Sequence, residues 1–146
     1  MKKIFLFALL CLSIATFAQK TKKEKPALDG KTFEVTTTAT ANGKSGKGVA
    51  DQIVFKSGKV KSPLIEEKSM FDAMKYAIIT DSTATDEDGN ATRIIIFEAE
   101  GTNDKQETIK WSGTVTGPAI EGTAIISKKE KVKKEYAFTG NEKLKK

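Results

Sequence analysis

The sequence predicts an all-β, antiparallel fold, and three observations carry that expectation. Downstream of residue 28, apolar residues alternate with polar ones in short runs instead of recurring at helical spacing. Gly, Asn and Asp separate the runs as turn residues. Thr is abundant, and Ile, Val and Phe supply the remaining residues that suit a pleated, half-buried surface. Eight strands follow, near 31–41, 49–56, 59–62, 74–84, 91–100, 106–116, 119–128 and 134–141.

The chain opens with a segment that is not part of that fold. Lys2 and Lys3 precede an apolar run from Ile4 to Leu12, and Thr16-Phe17-Ala18 is a small-x-small cleavage site. Residues 1–18 therefore read as a bacterial secretory signal peptide, cleaved after Ala18, which places the protein in the periplasm or outside the cell. The run is too short to anchor the chain across a bilayer, and no second apolar run follows. Cys11 lies within this segment, and Leu10 before it is too large for a lipidation signal. A basic linker spans 19–27, the β domain 28–142, and a basic tail 143–146.

Within the domain the elements follow from local chemistry. Ser57-Gly58 and Gly117-Pro118 are two-residue turns, while 42–48, 86–90, 101–105 and 129–133 are longer connections. Ser62 followed by Pro63 and then by Glu66 and Glu67 has the form of a helix start, so a short helix or lid is expected over 63–73, with Leu64, Phe71, Met74 and Ile78 near one face. The hairpin 108–127 has the clearest register. A turn at 117–118 places Ile109 opposite Ile126, Trp111 opposite Ala124, Gly113 opposite Gly122 and Val115 opposite Ile120. That face is apolar and the other largely polar, so one side of the sheet covers a core. Two facing glycines beside Trp111 permit the sharp bend that closing a barrel requires, or let a ring lie over the backbone. In strand 91–100, outward Glu98 and Glu100 imply outward Ile94 and Ile96, which need cover from the 63–73 segment or a partner. Arg93, Ile95, Phe97 and Ala99 then face in.

Four stretches carry a family resemblance: Leu28-Asp29-Gly30-Lys31-Thr32-Phe33, Phe55-x-x-Gly58-x-Val60-x-Ser62, Phe71-x-x-x-x-Tyr76, and Trp111-x-Gly113-x-Val115-x-Gly117-x-x-Ile120-x-Gly122-Thr123. Together they resemble small secreted bacterial β-barrels of the lipocalin-like, or calycin, type. The resemblance covers most of 28–141 and implies a single eight-stranded antiparallel barrel. It departs from true lipocalins at the first strand, where Gly30-Lys31-Thr32-Phe33 replaces a Gly-x-Trp signature. The only Trp of the chain lies on the sixth strand instead. Ligand residues therefore do not transfer. The resemblance implies architecture and the habit of holding a small apolar molecule.

Composition narrows the chemistry further. The chain has no histidine, which excludes serine–histidine and cysteine–histidine catalysis and the commonest transition-metal ligand. Cleavage at Ala18 would also remove the sole thiol. A non-enzyme without cofactor or metal is the expectation. Phe33, Phe55, Phe71, Tyr76, Phe97, Trp111, Tyr136 and Phe138 are the candidate interior aromatics, either a solid core or the lining of a small hollow. As ligand-binding residues the sequence nominates Trp111, Tyr76, Phe55, Phe97, Tyr136 and Arg93. The tyrosines would supply hydroxyls, and Arg93, the only arginine, would pair with a ligand carboxylate. Asp86-Glu87-Asp88-Gly89-Asn90 has too few ligands for calcium and reads as a turn, and Gly43–Gly48 lacks the spacing of a phosphate loop. Formal net charge is +6, concentrated in lysine runs at 20–25, 128–134 and 142–146. These suit weak contact with an anionic envelope surface, whereas no aromatic–arginine pattern supports nucleic acid. The expected function is non-covalent binding of a small, partly hydrophobic ligand. The alternative is a cell-envelope interaction or structural module that uses an outer sheet surface around Ile94 and Ile96.

Overall fold

The structure, a computed structural model, describes residues 25–144, so the expected signal peptide, most of the expected linker and the end of the expected basic tail lie outside the described residues. Ten elements follow in order: β1 (Thr32–Ala41), β2 (Lys44–Ser45), β3 (Val49–Lys56), β4 (Lys59–Lys61), α1 (Pro63–Ser69), β5 (Met74–Thr85), β6 (Ala91–Thr102), β7 (Thr108–Thr116), β8 (Ala119–Lys128) and β9 (Lys131–Glu142). Every pairing is antiparallel, and each strand from β3 onward lies beside its chain neighbour. The first and last long strands also pair, from Phe33↔Glu142 to Thr40↔Glu135, so the sheet closes into a ring. The all-β expectation and the single short helix are therefore observed.

The element boundaries depart from expectation, and three of the departures have a plain physical reason. The 42–48 loop contains β2, because the left-handed pair Asn42 and Gly43 (φ 51° and 74°) folds the chain back onto Thr40 and Ala41. The 129–133 connection is only the two residues Lys129 and Glu130 (φ 48° and 63°), so β9 starts at Lys131. The helix ends at Ser69, because Met70 adopts φ 58° and its N–H closes the last turn on Glu66 O at 3.0 Å. Ile65, not Leu64, is the buried residue of this helix.

Inward-facing residues make the core in register levels across β5 to β9. One level reads Tyr76, Ala99, Trp111, Ala124, Tyr136, and the next Ile78, Phe97, Gly113, Gly122, Phe138. The predicted register of the β7–β8 hairpin is the observed one, with Trp111↔Ala124 and Gly113↔Gly122 paired. Small residues alternate with large ones in the first level, and in the second two adjacent glycines lie between Phe97 and Phe138, so each level leaves room for its rings inside a narrow sheet. Phe33, Phe55, Phe97, Trp111, Tyr136 and Phe138 are all at most 2% exposed. Burying each stabilises the fold by roughly 2–3 kcal/mol.

Both ends of the ring are covered. At one end a turn at Pro26–Gly30 inserts Leu28, and Gly58 N donates to Asp29 Oδ1 at 2.8 Å. At the other end α1 crosses the mouth. Ser62 caps it by accepting from Ile65 N at 3.1 Å, Pro63 is its first residue, and Ser62 Oγ and Leu64 N both donate to Asp51 on β3. Its far end is tied by Ser69 Oγ to Tyr136 Oη at 2.9 Å, and by Asn103 Nδ2 donating to Ser69 O at 3.1 Å.

Candidate functional site

One register level, which reaches α1 at Tyr136 and the Gly58 turn at Tyr76, brings together three of the nominated residues. Tyr76, Trp111 and Tyr136 lie on alternate strands, separated by Ala99 and Ala124, and all face the interior. Phe55 joins them from β3. Its ring packs edge-on against Tyr76 at 5.0 Å, Phe97 at 4.9 Å and Phe33 at 6.0 Å, while Trp111 lies 5.7 Å from Phe138. Five of the six nominated residues thus share one interior.

The facing glycines serve the rings. A Cβ on Gly113 would lie 2.6 Å from the Phe97 ring, and one on Gly122 would lie 2.7 Å from that of Phe138. Phe97 and Phe138 therefore lie over the bare backbone, in the space where a ligand resting on the glycines would sit. The least side-chain volume at the Trp111 level is beside Ala99 and Ala124.

Polar atoms in this interior are unevenly satisfied. Tyr136 Oη is hydrogen-bonded to Ser69 Oγ, and Lys134 Nζ stands 5.5 Å from the centre of the Tyr136 ring. Tyr76 Oη and Trp111 Nε1 are buried with no hydrogen-bond partner among the described residues. Each such orphan costs about 1–3 kcal/mol. Burial of the Tyr76 hydroxyl, and secondarily the charge of Asp29, pushes its pKa up to about 12.

Arg93 is placed differently from expectation. It has inward parity, but its part of β6 belongs to the outer half of the β5–β6 hairpin, which runs past the core. Its guanidinium is exposed and grips Asp81 with two bonds, Nε–Oδ1 at 2.8 Å and Nη2–Oδ2 at 2.6 Å. That bond holds the Asp81 carboxyl below the usual range. Nearby, Asp86 Oδ1 accepts from the backbone of Asp88 and Asn90, and Asn90 Nδ2 donates to Oδ2, so the acidic loop is tied as a turn. Among the described residues, no three of His, Cys, Asp or Glu cluster as metal ligands do.

On the outer face, Glu98 and Glu100 point to solvent as expected, and Ile94 and Ile96 are half-buried. The helix does not cover these isoleucines; it packs on β3. Sequence reasoning missed Ile79, 54% exposed on a register shift between Ile78 and Thr80. Two adjacent isoleucines in an otherwise alternating strand were the available signal. Ile79, Ala77, Lys110, Ser112 and Ile125 line an outer concavity of about 580 Å³ directly behind the Tyr76–Trp111 level. No family model, curated protein or solved structure matches the chain.

Proposed function

We propose that the chain is an exported, non-catalytic binding protein whose lipocalin-like barrel holds a small, partly hydrophobic ligand at the Tyr76–Trp111–Tyr136 level. The observation that carries this reading is the pair of orphaned polar atoms, Tyr76 Oη and Trp111 Nε1, in an aromatic interior. An indole N–H only donates, and a phenol donates or accepts. The ligand they suit has an apolar body and a hydrogen-bond acceptor such as a hydroxyl or carbonyl oxygen. With Arg93 engaged by Asp81 outside the core, a ligand carboxylate would find no guanidinium there. The alanines at 99 and 124 mark where ligand volume is most easily accommodated.

Native mass spectrometry of protein recovered from its own host, with Trp111 fluorescence titrated against isoprenoid alcohols and fatty acids, tests the reading. Saturable quenching that weakens about tenfold in Tyr76→Phe is expected, the loss of one hydrogen bond of about 1–1.5 kcal/mol. An adduct-free mass together with an unresponsive Trp111 would sink it.

The outer concavity favours a second reading, an envelope interaction module. The large exposed apolar residue there is Ile79, so Ile79→Lys is the discriminating variant. It would abolish partner capture under this reading and leave the Trp111 titration unchanged under the first.

A further inference from the structure

We infer that two adjacent hairpin tips form a docking surface for an anionic lipid bilayer, a role independent of any interior ligand. Thr40 on β1 pairs with Ser45 on one side and Glu135 on the other, so the tip at 42–48 stands beside the β8–β9 tip. The two carry Lys44, Lys47, Lys128, Lys129, Lys131 and Lys133, with Lys134 over the Tyr136 ring, against only Glu130 and Glu135. Among the described residues none of these lysines reaches a carboxylate within ion-pair distance, so the charge is unneutralised.

The backbone adds a second sign. Lys129 and Glu130 both take left-handed conformations, φ 48° and 63°, where glycine or asparagine is the usual choice for a two-residue hairpin. Each non-glycine residue there is strained, and a side chain retained under strain points to a use for it.

A third observation selects the partner. Val132 lies between Lys131 and Lys133 and is 62% exposed. A soluble polyanion gains nothing from an exposed valine, whereas the acyl boundary of a bilayer does, and apolar contact plus lysines at an anionic leaflet is the combination that binds there. The opposite end of the molecule favours the same orientation. Successive antiparallel connections alternate between ends, so Asp86, Glu87 and Asp88 at the β5–β6 tip point away from the lysine tips, whose own end carries Asp104 and Glu107 of the β6–β7 connection beside Lys105.

Vesicle co-sedimentation of the exported protein tests this, with phosphatidylcholine vesicles made with and without phosphatidylglycerol. Binding is expected only with phosphatidylglycerol, and it should fall at high salt. The triple variant Lys129→Gln/Lys131→Gln/Lys133→Gln should bind on the order of a hundredfold more weakly, and Val132→Ser several-fold more weakly at unchanged charge. Unshifted Trp111 emission verifies that the variants fold. Equal binding to both vesicle types, or none to either, overturns the proposal. A triple variant that binds like wild type also overturns it, since the β8–β9 tip would then take no part in binding. Tight binding to heparin with Val132→Ser indistinguishable from wild type overturns the bilayer in favour of a soluble polyanion.

Discussion

Tyr76 combines a hydroxyl without a partner with a ring that packs edge-on against Phe55, and the two have opposite energetic signs. The ring stabilises the fold and the hydroxyl opposes it. Tyr76→Phe should therefore raise the stability of the ligand-free protein by about 1 kcal/mol, measurable by urea denaturation, because it deletes only the unsatisfied group. Titration gives an independent check. With the folded pKa raised from 10.0 to about 12, the unfolded chain releases the proton first as pH rises. The contribution is fully present below pH 10 and is lost as pH climbs through the folded value. Stability should decline across that window in wild type and decline less in Tyr76→Phe. Arg93 is the contrasting case. Its ion pair with Asp81 is exposed, so Arg93→Ala should leave both the denaturation midpoint and the Trp111 titration unchanged.

Among the elements, α1 is the one whose place depends on polar ties more than on burial. Only Ile65 of its residues is buried, and the two ends rest on Asp51 and Ser62 on one side and on Ser69, Tyr136 and Asn103 on the other. Ser62 serves twice, accepting from Ile65 N and donating to Asp51. Ser62→Ala should cost about 1–2 kcal/mol and raise amide exchange across 63–69 before it does so in the strands. Uniform acceleration throughout the ring would contradict a locally held helix. β5 illustrates a different constraint. It meets β4 at only two residues, Lys75 and Met74, and its bulge at Ile78–Thr80 interrupts the regular pattern along the strand. A bulge of that kind discourages edge-to-edge association.

At the scale of the whole molecule, closure rests on the seam between β1 and β9, which joins residues about a hundred positions apart in the chain. Gly140 sits on that seam, where an added Cβ would meet Glu34 O and lie 2.6 Å from Val35 Cα. Those are backbone atoms and cannot rotate away. Gly140→Ala should cost about 3 kcal/mol and broaden the urea transition, as the seam parts before the hairpins do. A cooperative transition at the wild-type midpoint would show that the ring tolerates a looser seam. The charge arrangement belongs to this scale too, since the lysine tips and the acidic tip stand at opposite ends only because the strand connections alternate.

The local elements were legible in the residues themselves. Alternation, turn residues and the Ser62-Pro63 cap are short-range signals, and the Gly117-Pro118 turn sets the β7–β8 register because every later pair follows from it. The same signals placed Trp111, Tyr76, Tyr136, Phe55 and Phe97 in one interior. Tertiary structure decided what parity cannot. Arg93 has the inward phase yet lies beyond the core, because phase is a property of a strand and burial a property of its neighbours. Phe97 and Phe138 claimed the glycine floor, since register across four strands sets which ring meets which gap. The pairing of β1 with β9, and with it the meeting of the two lysine tips, depends on contacts between distant parts of the chain, for which no local residue pattern is a signal.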